Sequence, residues 1–355
     1  MDESPAVWSI ALDGGTTNTR ARLIHGDRIV ATARRPVGVR DAVIDPGSRP
    51  LAVAVRSAIE EVSRGLGDVR PDLIIAAGML SSEVGLTAVP HAEAPAGIDA
   101  LARGVAVHQL PEIVDRPIHF VPGVRTSPAP GDDGWAEADV MRGEECETMG
   151  AWTHLAARSP QTTSRDASGP AAVFLWPGSH TKLVAVDARG WILRSHTTLA
   201  GEMTAALARH TLIASSLPRD LPDEPDRAAL DAGARLVTRE GLGRAAFLVR
   251  IAALAEALGP EERAAFWLGA VVADDVAHLA RHRMLDGPIP VRVGGRQPLR
   301  SLYARWLGER HAGPVTALEE ELAEHASAFG ALAIARRRVE LSGSHDSPQT
   351  RVKPR

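Results

Sequence analysis

The feature that most constrains this chain is a supersecondary unit that occurs twice, each time as an apolar strand, a glycine-rich loop and a hairpin. In the first copy, residues 7–12 form the strand, residues 13–18 the loop, and residues 19–24 and 28–33 alternate in polarity around a Gly-Asp turn. A strand that leads into a glycine-rich loop and then a hairpin, with no helix directly after the loop, excludes a Walker-type phosphate loop.

The second copy repeats this order more than 150 residues later in the chain. Residues 172–176 are an apolar strand, residues 177–182 a loop, and residues 183–186 and 191–197 the two arms of a hairpin. The copies share their order of elements and not their sequence. The repeat therefore predicts an α/β protein with two related lobes, each of which offers a loop to a common cleft.

The remaining pattern predicts helices, linkers and a polar tail around these two units. The predicted helices cover residues 51–66, 137–152, 264–283, 299–307 and 318–338, and further strands cover residues 73–77 and 289–293. Polar or proline-rich loops are expected at residues 161–170 and 217–225. We expect an N-terminal lobe over residues 1–135, a C-terminal lobe over residues 136–340 and a disordered tail over residues 341–355.

Composition narrows the classes of function. The 355 residues are 45% hydrophobic and carry a formal net charge of −4 with 4% aromatic residues, so no basic, aromatic surface for nucleic acid is indicated. The apolar runs are too short to span a bilayer, and no membrane partner is expected. The single cysteine, Cys146, excludes an intrachain disulfide and fits a reducing compartment, so we expect a cytoplasmic protein.

The first loop has the composition of an anion-binding turn. Glycines let backbone N–H groups approach phosphate closely, hydroxyl and amide side chains add donors, and an aspartate at the strand end can hold Mg²⁺ through water. An ordinary hairpin-entry turn is the alternative. The predicted residues are Asp13 as catalytic and metal-binding residue, with Gly14, Gly15, Thr16, Thr17 and Asn18 as phosphate-binding residues.

The second loop and a later glycine pair are the other candidates for the nucleotide. The loop combines a glycine, two hydroxyls and a cation after a buried strand, although its histidine and lysine, taken singly, are more often structural. A bare glycine turn between a strand and a helix could accept an adenosine or could simply be a turn. These candidates are Gly178, Ser179, His180, Thr181 and Lys182, followed by Gly294, Gly295 and Arg296.

Two adjacent carboxylates near the start of the helix predicted at residues 137–152 are candidates for a general base. Glu144 follows Gly143 and could accept the proton of an attacking hydroxyl, and a helix N-terminus would keep it ionised. Glu145 is the alternative base, but on a helix it would point about 100° away from Glu144. The alternative interpretation is that both glutamates are solvent-exposed residues of an acidic first helical turn and have no catalytic role.

Taken together, these motifs resemble the 2-dehydro-3-deoxygalactonokinase family of the sugar kinase/actin superfamily, over almost the whole chain. The specific strings are Met-Arg-Gly-Glu-Glu at residues 141–145 and Pro-Gly-Ser-His-Thr-Lys at residues 177–182. The resemblance implies a two-lobed actin/hexokinase-like (ribonuclease H-like) fold with an interlobe cleft. It also implies ATP- and Mg²⁺-dependent phosphorylation of the 6-hydroxyl of 2-dehydro-3-deoxy-D-galactonate, with ATP between the two loops and a small sugar acid as the other substrate.

The residues expected at the sugar acid are Gly78, Met79, Arg142 and Glu202, with the Arg142 guanidinium as a clamp for the substrate carboxylate. An ion pair of Arg142 with Glu144 or Glu145 is the alternative. Three other functions stay open: a kinase for another keto sugar acid, a phosphohydrolase of the same fold, and a sugar-binding protein without catalysis. A homodimer is also open.

Overall fold

The computed structural model describes residues 7–40, 49–67, 69–158, 169–218 and 224–343. These residues divide into two compact units. The first unit comprises the described residues up to 158 together with residues 189–194 and 325–343, and the second comprises residues 169–188 and the described part of residues 195–324. In this division, residues 136–158 and the end of the last helix belong to the first unit.

Both units contain strands and helices. The strands are β1 (Trp8–Gly14), β2 (Thr19–His25), β3 (Arg28–Arg35), β4 (Leu73–Gly78), β5 (Ala92–Glu93), β6 (Ala106–Gln109), β7 (Pro117–Phe120), β8 (Val124–Thr126), β9 (Asp139–Met141), β10 (Ala172–Trp176), β11 (Thr181–Val186), β12 (Ile192–Thr198), β13 (Val291–Val293) and β14 (Val315–Ala317). The helices are α1 (Arg49–Ser63), α2 (Ile98–Gly104), α3 (Glu144–Arg158), α4 (Ala200–His210), α5 (Arg227–Glu240), α6 (Leu242–Leu254), α7 (Pro260–Leu279), α8 (Leu299–Gly308) and α9 (Glu320–Gly343).

The first unit is built on a six-stranded sheet in the order β3-β2-β1-β4-β7-β6. β1 pairs antiparallel with β2 and parallel with β4, because the hairpin folds back on one side while the chain returns through α1 on the other. The apolar face of α1, including Leu51, Val55 and Ile59, joins Ile10 and Leu12 of β1 in the hydrophobic core. A smaller sheet, β5-β8-β9, completes the strands of this unit.

The second unit contains a five-stranded sheet in the order β12-β11-β10-β13-β14. β10 pairs antiparallel with β11 and parallel with β13, as β1 does with β2 and β4. All residues of β10 and β11 are buried, which explains why β10 is continuously apolar instead of alternating. The predicted duplication of the strand–loop–hairpin unit is therefore confirmed in the topology of the two sheets.

The main correction to the predicted elements is the segment before α3. We predicted one helix over residues 137–152, but residues 139–141 form β9 and pair with β8, and α3 begins only at Glu144. Gly143 has a φ of 120°, which an L-residue in a helix cannot adopt, so the chain must leave the strand and turn before the helix starts.

Smaller differences lie at other element ends. The strand β11 begins at Thr181, so the last two residues of the predicted second loop belong to a strand. The helix α9 continues to Gly343, so the first three residues of the predicted tail are helical. Residues 344–355 and parts of the predicted loops at 161–170 and 217–225 lie outside the described residues. Within the described ranges, no helix has the length and apolarity that a membrane crossing requires.

Two glycines allow α3 and α9 to pack with their backbones in contact. A Cβ at Gly150 would overlap the carbonyl oxygen of Ala326, and a Cβ at Gly330 would overlap the carbonyl oxygen of Cys146. Neither obstacle is a flexible side chain, so an added methyl group could be accommodated only by moving one helix away from the other.

We therefore expect Gly150→Ala to destabilise the protein by about 1–3 kcal/mol, the usual cost of an inserted methylene in a well-packed core. The measurement is the midpoint of urea unfolding, followed by circular dichroism. Gly243→Ala is the matched control, because this glycine is exposed near the start of α6 with no neighbour within 4 Å of an added Cβ. Equal midpoints for the two variants would contradict the helix contact.

Candidate active site

In the first unit, the carboxyl ends of β1 and β4 lie side by side. Asp13 is in register with Ala77, and Gly14 with Gly78. Gly78 has a φ of 67°, and a Cβ there would lie 2.6 Å from the carbonyl oxygen of Gly14. Since the two strands end in glycines in direct backbone contact, they leave room for a ligand against bare main chain.

The loop between β1 and β2 is a tight turn held from outside. The N–H of Gly15 donates to the carbonyl of Asn18 at 2.8 Å, while the N–H groups of Val39 and Arg40 donate to the carbonyls of Gly15 and Thr16 at 3.2 and 3.0 Å. The side chains at the tip, on Thr17 and Asn18, are exposed. The predicted phosphate loop thus exists as a preformed turn with polar groups directed to its surface.

Asp13 is partly exposed at the end of β1. Its Oδ2 atom lies 3.4 Å from the Nη1 atom of Arg20 on β2, so a cation already neutralises part of the carboxylate charge. The sequence analysis did not include Arg20, although its position in the hairpin directly opposite Asp13 follows from the strand register.

The turn at Gly143 brings the start of α3 to the same strand ends. A Cβ on Gly143 would lie 3.4 Å from the Cα atom of Gly78, so the turn passes directly over the end of β4. The structure therefore brings together the predicted residues Asp13, Gly14, Gly78 and Glu144.

The two adjacent glutamates at the start of α3 have different environments. Glu144 is partly exposed, and its Oε2 atom accepts the N–H of Arg142 at 3.2 Å. Glu145 is fully buried, and its Oε2 atom accepts the N–H of Gly143 at 2.7 Å. Burial, with a further contribution from the charge of Glu144, raises the pKa of Glu145 to about 7. Of these two glutamates, only Glu144 has a carboxylate that a ligand can reach.

Glu147 is a third carboxylate that the sequence analysis missed. It lies one turn after Glu144, and burial together with the charges of Glu144 and Asp13 raises its pKa well above the usual value. The i, i+3 spacing from Glu144 was the available signal, because residues three apart share one face of a helix.

The guanidinium of Arg142 is bonded to a loop, and it does not present its two terminal nitrogens to a substrate carboxylate. Its Nη1 atom donates to the carbonyl and hydroxyl of Ser81 at 2.7 and 2.8 Å, and its Nη2 atom donates to the carbonyl of Val89 at 2.8 Å and lies 3.2 Å from a ring nitrogen of His91. Both terminal nitrogens are thus engaged by protein groups. This geometry favours a structural role for Arg142, and neither glutamate beside it in sequence forms an ion pair with the guanidinium among the described contacts.

Arg142 therefore ties the start of α3 to the segment that follows β4. This segment opens with the short 3-10 turn Met79–Ser81, in which Met79 is partly exposed beside Gly78. The pKa of His91 is lowered by burial and by the charge of Arg142, which keeps the imidazole neutral against the guanidinium. The predicted sugar-acid residues Gly78 and Met79 are thus held in place from the helix that carries Glu144.

In the second unit, the loop between β10 and β11 contacts the start of α4. A Cβ at Gly201 would overlap the carbonyl oxygen of Gly178, and the N–H of Glu202 donates to the carbonyl of Ser179 at 2.8 Å. The first turn of a helix presents N–H groups that have no partner within the helix, and such groups favour anions. The predicted second phosphate loop is therefore combined with a helix N-terminus, which the sequence analysis did not predict.

A cavity of about 400 Å³ opens beside this loop. Its walls bring together Gly178 and Ser179 of the loop, the start of α4, and the turn at Arg296 that precedes α8. Apolar side chains cover much of the remainder, among them Leu268, Val271, Val272 and Leu299. The size and the mixture of apolar wall and polar rim are typical of a site for a small organic molecule.

The glycine pair before α8 directly precedes the cavity residue Arg296. A Cβ at Gly294 would overlap the ring of Trp176, and Gly295 has a φ of 76°. The turn thus requires glycine at both positions, and Arg296 follows it as an exposed side chain on the cavity wall. The predicted grouping of Gly294, Gly295 and Arg296 with the second loop is present in the structure.

Two predicted phosphate ligands point elsewhere. Lys182 is only 3% exposed and donates to the hydroxyl of Thr197 at 2.7 Å. The hydroxyl of Thr181 lies 3.0 Å from the phenol oxygen of Tyr303 and is buried. Both residues belong to β11, all of whose residues are buried, so the loop ends two residues earlier than predicted.

Glu202, predicted at the sugar acid, contacts the second loop within its own unit. Its Oε1 atom lies 3.2 Å from the Nε2 atom of His180, and both side chains are partly exposed. The pair joins the tip of the loop to the first turn of α4, which gives Glu202 a role in shaping the loop.

The donor set at the end of β1 fits Mg²⁺ that enters together with a phosphate ligand. Within the described ranges, no group of three or more histidine, cysteine, aspartate or glutamate side chains is arranged to hold a metal ion. A carboxylate such as that of Asp13 is a hard oxygen ligand, and Mg²⁺ is commonly held by one or two carboxylates plus substrate phosphates and water.

Comparisons with known proteins agree on one family. A family model described as 2-keto-3-deoxy-galactonokinase matches residues 13–331. The 2-dehydro-3-deoxygalactonokinase of Escherichia coli (strain K12) is 29% identical over 275 residues, covering 76% of this chain and 80% of the relative. A protein of Rhizobium meliloti (strain 1021) assigned the same activity is 28% identical over 304 residues, covering 84% of this chain and 88% of the relative.

A solved structure shows the same fold. The crystal structure of a protein from Sinorhizobium meliloti, assigned as a 2-dehydro-3-deoxygalactonokinase, matches with a TM-score of 0.69 and 24% sequence identity. The match covers 92% of this chain and 98% of that protein. The predicted two-lobed actin/hexokinase-like α/β fold is therefore confirmed.

The raised pKa of Glu145 predicts a pH-dependent stability. The pKa is about 7 in the folded chain against 4.5 normally, so the folded state binds more protons between these values and the free energy of unfolding falls as the pH rises through them. Glu145→Gln removes this loss and can still accept the N–H of Gly143. We expect the variant to gain up to about 3 kcal/mol relative to the parent chain between pH 4.5 and about pH 8, measured by urea unfolding.

The matched control for this measurement is Glu60→Gln, at an exposed position of α1. It should leave the pH profile of stability unchanged. A parallel pH profile for Glu145→Gln and the parent chain would show that Glu145 titrates as an ordinary exposed carboxylate.

Proposed function

Since the chain belongs to the 2-keto-3-deoxy-galactonokinase family, we propose that it transfers the γ-phosphoryl group of ATP to the 6-hydroxyl of 2-dehydro-3-deoxy-D-galactonate. The first unit supplies the residues for the sugar acid and the base, and the second unit supplies the nucleotide site. The name of the E. coli relative supports the sugar acid as substrate.

The observation that carries the nucleotide half of this proposal is the cavity of about 400 Å³ in the second unit. Gly178 and Ser179 with the start of α4 provide backbone N–H groups for phosphate, and the apolar wall with Arg296 accepts the base and ribose. An apolar slot that opens onto a phosphate-binding helix end suits a nucleotide better than a free sugar, which would need polar partners along its whole length.

In the first unit, Glu144 is the proposed general base. It is the first residue of α3, at the positive end of the helix dipole, and it is partly exposed. A hydroxyl within hydrogen-bond distance could pass its proton to Glu144 as the oxygen attacks phosphorus, which is typically worth about 10²–10⁴-fold in rate. Glu145, buried and bonded to the turn at Gly143, orients the helix start instead.

Asp13 is the proposed Mg²⁺ ligand, through water. When bound with the nucleotide, Mg²⁺ neutralises charge on the phosphate oxygens. Arg20 beside Asp13 would share the carboxylate with the hydrated ion, and the preformed turn at residues 15–18 would contribute backbone N–H groups. The placement of ATP between both loops, and the lobe boundary at residue 135, stay predictions.

Arg142 is proposed as a positioning residue for the sugar-acid segment. Its terminal nitrogens bind the Ser81–His91 stretch, so the substrate carboxylate would have to be bound by other groups. A cytoplasmic location is proposed from the need for ATP and from the single cysteine of the sequence, which fits a reducing compartment. The homodimer stays a prediction.

A coupled assay for ADP tests the function. We expect ADP formation with 2-dehydro-3-deoxy-D-galactonate, and a kcat/KM at least about tenfold lower for its C4 epimer and for other 2-keto-3-deoxy sugar acids. Omitting the sugar acid is the control that separates a kinase from a phosphohydrolase, which would release phosphate from ATP alone. Activity on another sugar acid, with none on 2-dehydro-3-deoxy-D-galactonate, would show that the chain catalyses the same reaction on a different substrate.

Comparison of Glu144→Gln with Glu145→Gln tests the base. We expect the first variant to lose about 10²–10⁴-fold in kcat while still binding ADP, because the amide cannot take a proton. The second should keep most of its turnover, since Gln can still accept the Gly143 N–H. If Glu145→Gln is the inactive variant, the base is the buried carboxylate. If both variants stay active, the base lies outside this helix.

A further inference from the structure

A buried chain of three polar side chains connects the second loop to two helices. The hydroxyl of Thr181, at the start of β11, lies 3.0 Å from the phenol oxygen of Tyr303 on α8. The phenol in turn donates to the Oδ2 atom of Asp275 on α7 at 2.5 Å. Thr181 and Tyr303 are each 1% exposed and Asp275 is 7% exposed, so water does not compete for these contacts.

The direction of donation along the chain follows from its chemistry. A phenol carries one proton, and the carboxylate of Asp275 can only accept. Tyr303 therefore donates to Asp275, and Thr181 donates to Tyr303. Burial and the neighbouring Asp275 raise the pKa of Tyr303 well above its usual value, so the phenol keeps this proton. The Thr181 hydroxyl is consequently not available as a donor to phosphate.

Tyr303 also lines the cavity beside the second loop, together with Gly178, Ser179 and Leu299. Thr181 follows His180 directly, so the hydroxyl bond fixes the point at which the loop re-enters the sheet. The same residue thus lines the cavity and, through its phenol oxygen, anchors the loop.

We propose that Tyr303 is a positioning residue for the nucleotide: its bonds to Thr181 and Asp275 set the conformation in which the second loop binds phosphate, and its position on the cavity wall couples occupancy of the cavity to that loop. The inference rests on the proposed function, because it takes the cavity as the nucleotide site. Loss of the phenol oxygen should therefore weaken nucleotide binding and leave the sugar-acid half-site unaffected.

Tyr303 is the only tyrosine of the chain, which makes the test direct. Labelling with [¹³Cζ]tyrosine gives a single resonance from the full-length protein. We expect ADP to shift this resonance in a saturable manner, with the same dissociation constant that calorimetry gives for ADP. A resonance that does not move at ADP concentrations shown by calorimetry to saturate the protein would overturn the inference while leaving the proposed function intact.

Tyr303→Phe provides the functional arm, since it keeps the ring and removes only the oxygen. We expect the dissociation constant for ADP and the KM for ATP to rise about tenfold, with the KM for the sugar acid within about twofold of the parent value. Thr181→Val should act in the same direction, and the double variant should be no worse than Tyr303→Phe alone, because both changes break one chain.

Thr238→Val is the matched control, because among the described residues this hydroxyl donates to the carbonyl of Ala234 on α5 and does not line the cavity. It should leave ADP binding unchanged. An unchanged ADP affinity in both Tyr303→Phe and Thr181→Val, with circular dichroism showing folded protein, would overturn the inference. Failure of the parent chain to bind ADP by calorimetry would overturn the proposed nucleotide site as well.

Discussion

The parallel pairing of a hairpin-bearing strand with the strand that returns through a helix is the constraint on which this structure depends. In the first unit it aligns Gly14 with Gly78, and in the second it joins β10 to β13 just before Gly294. Parallel strands end at the same edge of a sheet, so the loops that follow them are neighbours without any further design. Each half-site is therefore a consequence of topology, and the side chains only refine it.

The sequence was sufficient to predict most of the fold because periodicity and glycine placement encode it locally. The apolar strand, the glycine turn and the alternating hairpin each carry a short-range signal, and both sheets follow. The sequence did not predict where individual strands and helices begin and end, because strand pairing and helix formation compete at these positions. The strand at residues 139–141 depends on pairing with β8, a non-local event, and only the φ of Gly143 decides where α3 begins.

Side-chain roles were harder to predict for the same reason. Arg142 and Lys182 occur in the right motifs, and a cation near a phosphate or a carboxylate substrate is a sound expectation. Their partners, Ser81, Val89 and Thr197, are brought to them by tertiary packing that no local pattern reveals. By contrast, the local sequence placed Glu144 directly after Gly143, and the structure has this glycine turn before the helix. Tyr303 was missed because its meaning arises only when α7, α8 and β11 meet.

The backbone contact between Gly150 and α9 constrains how these positions can change during evolution. A mutation that enlarges either Gly150 or Gly330 pushes the two helices apart, and since α3 starts at Glu144, the carboxylate proposed as base moves with the displaced helix. Selection can therefore act on a substitution at one glycine, because the substitution disturbs the packing at the other glycine and moves the proposed base. In diverged homologues the two glycines should be retained or lost together. Retention of both glycines and of the glutamate should then distinguish active homologues from inactive ones.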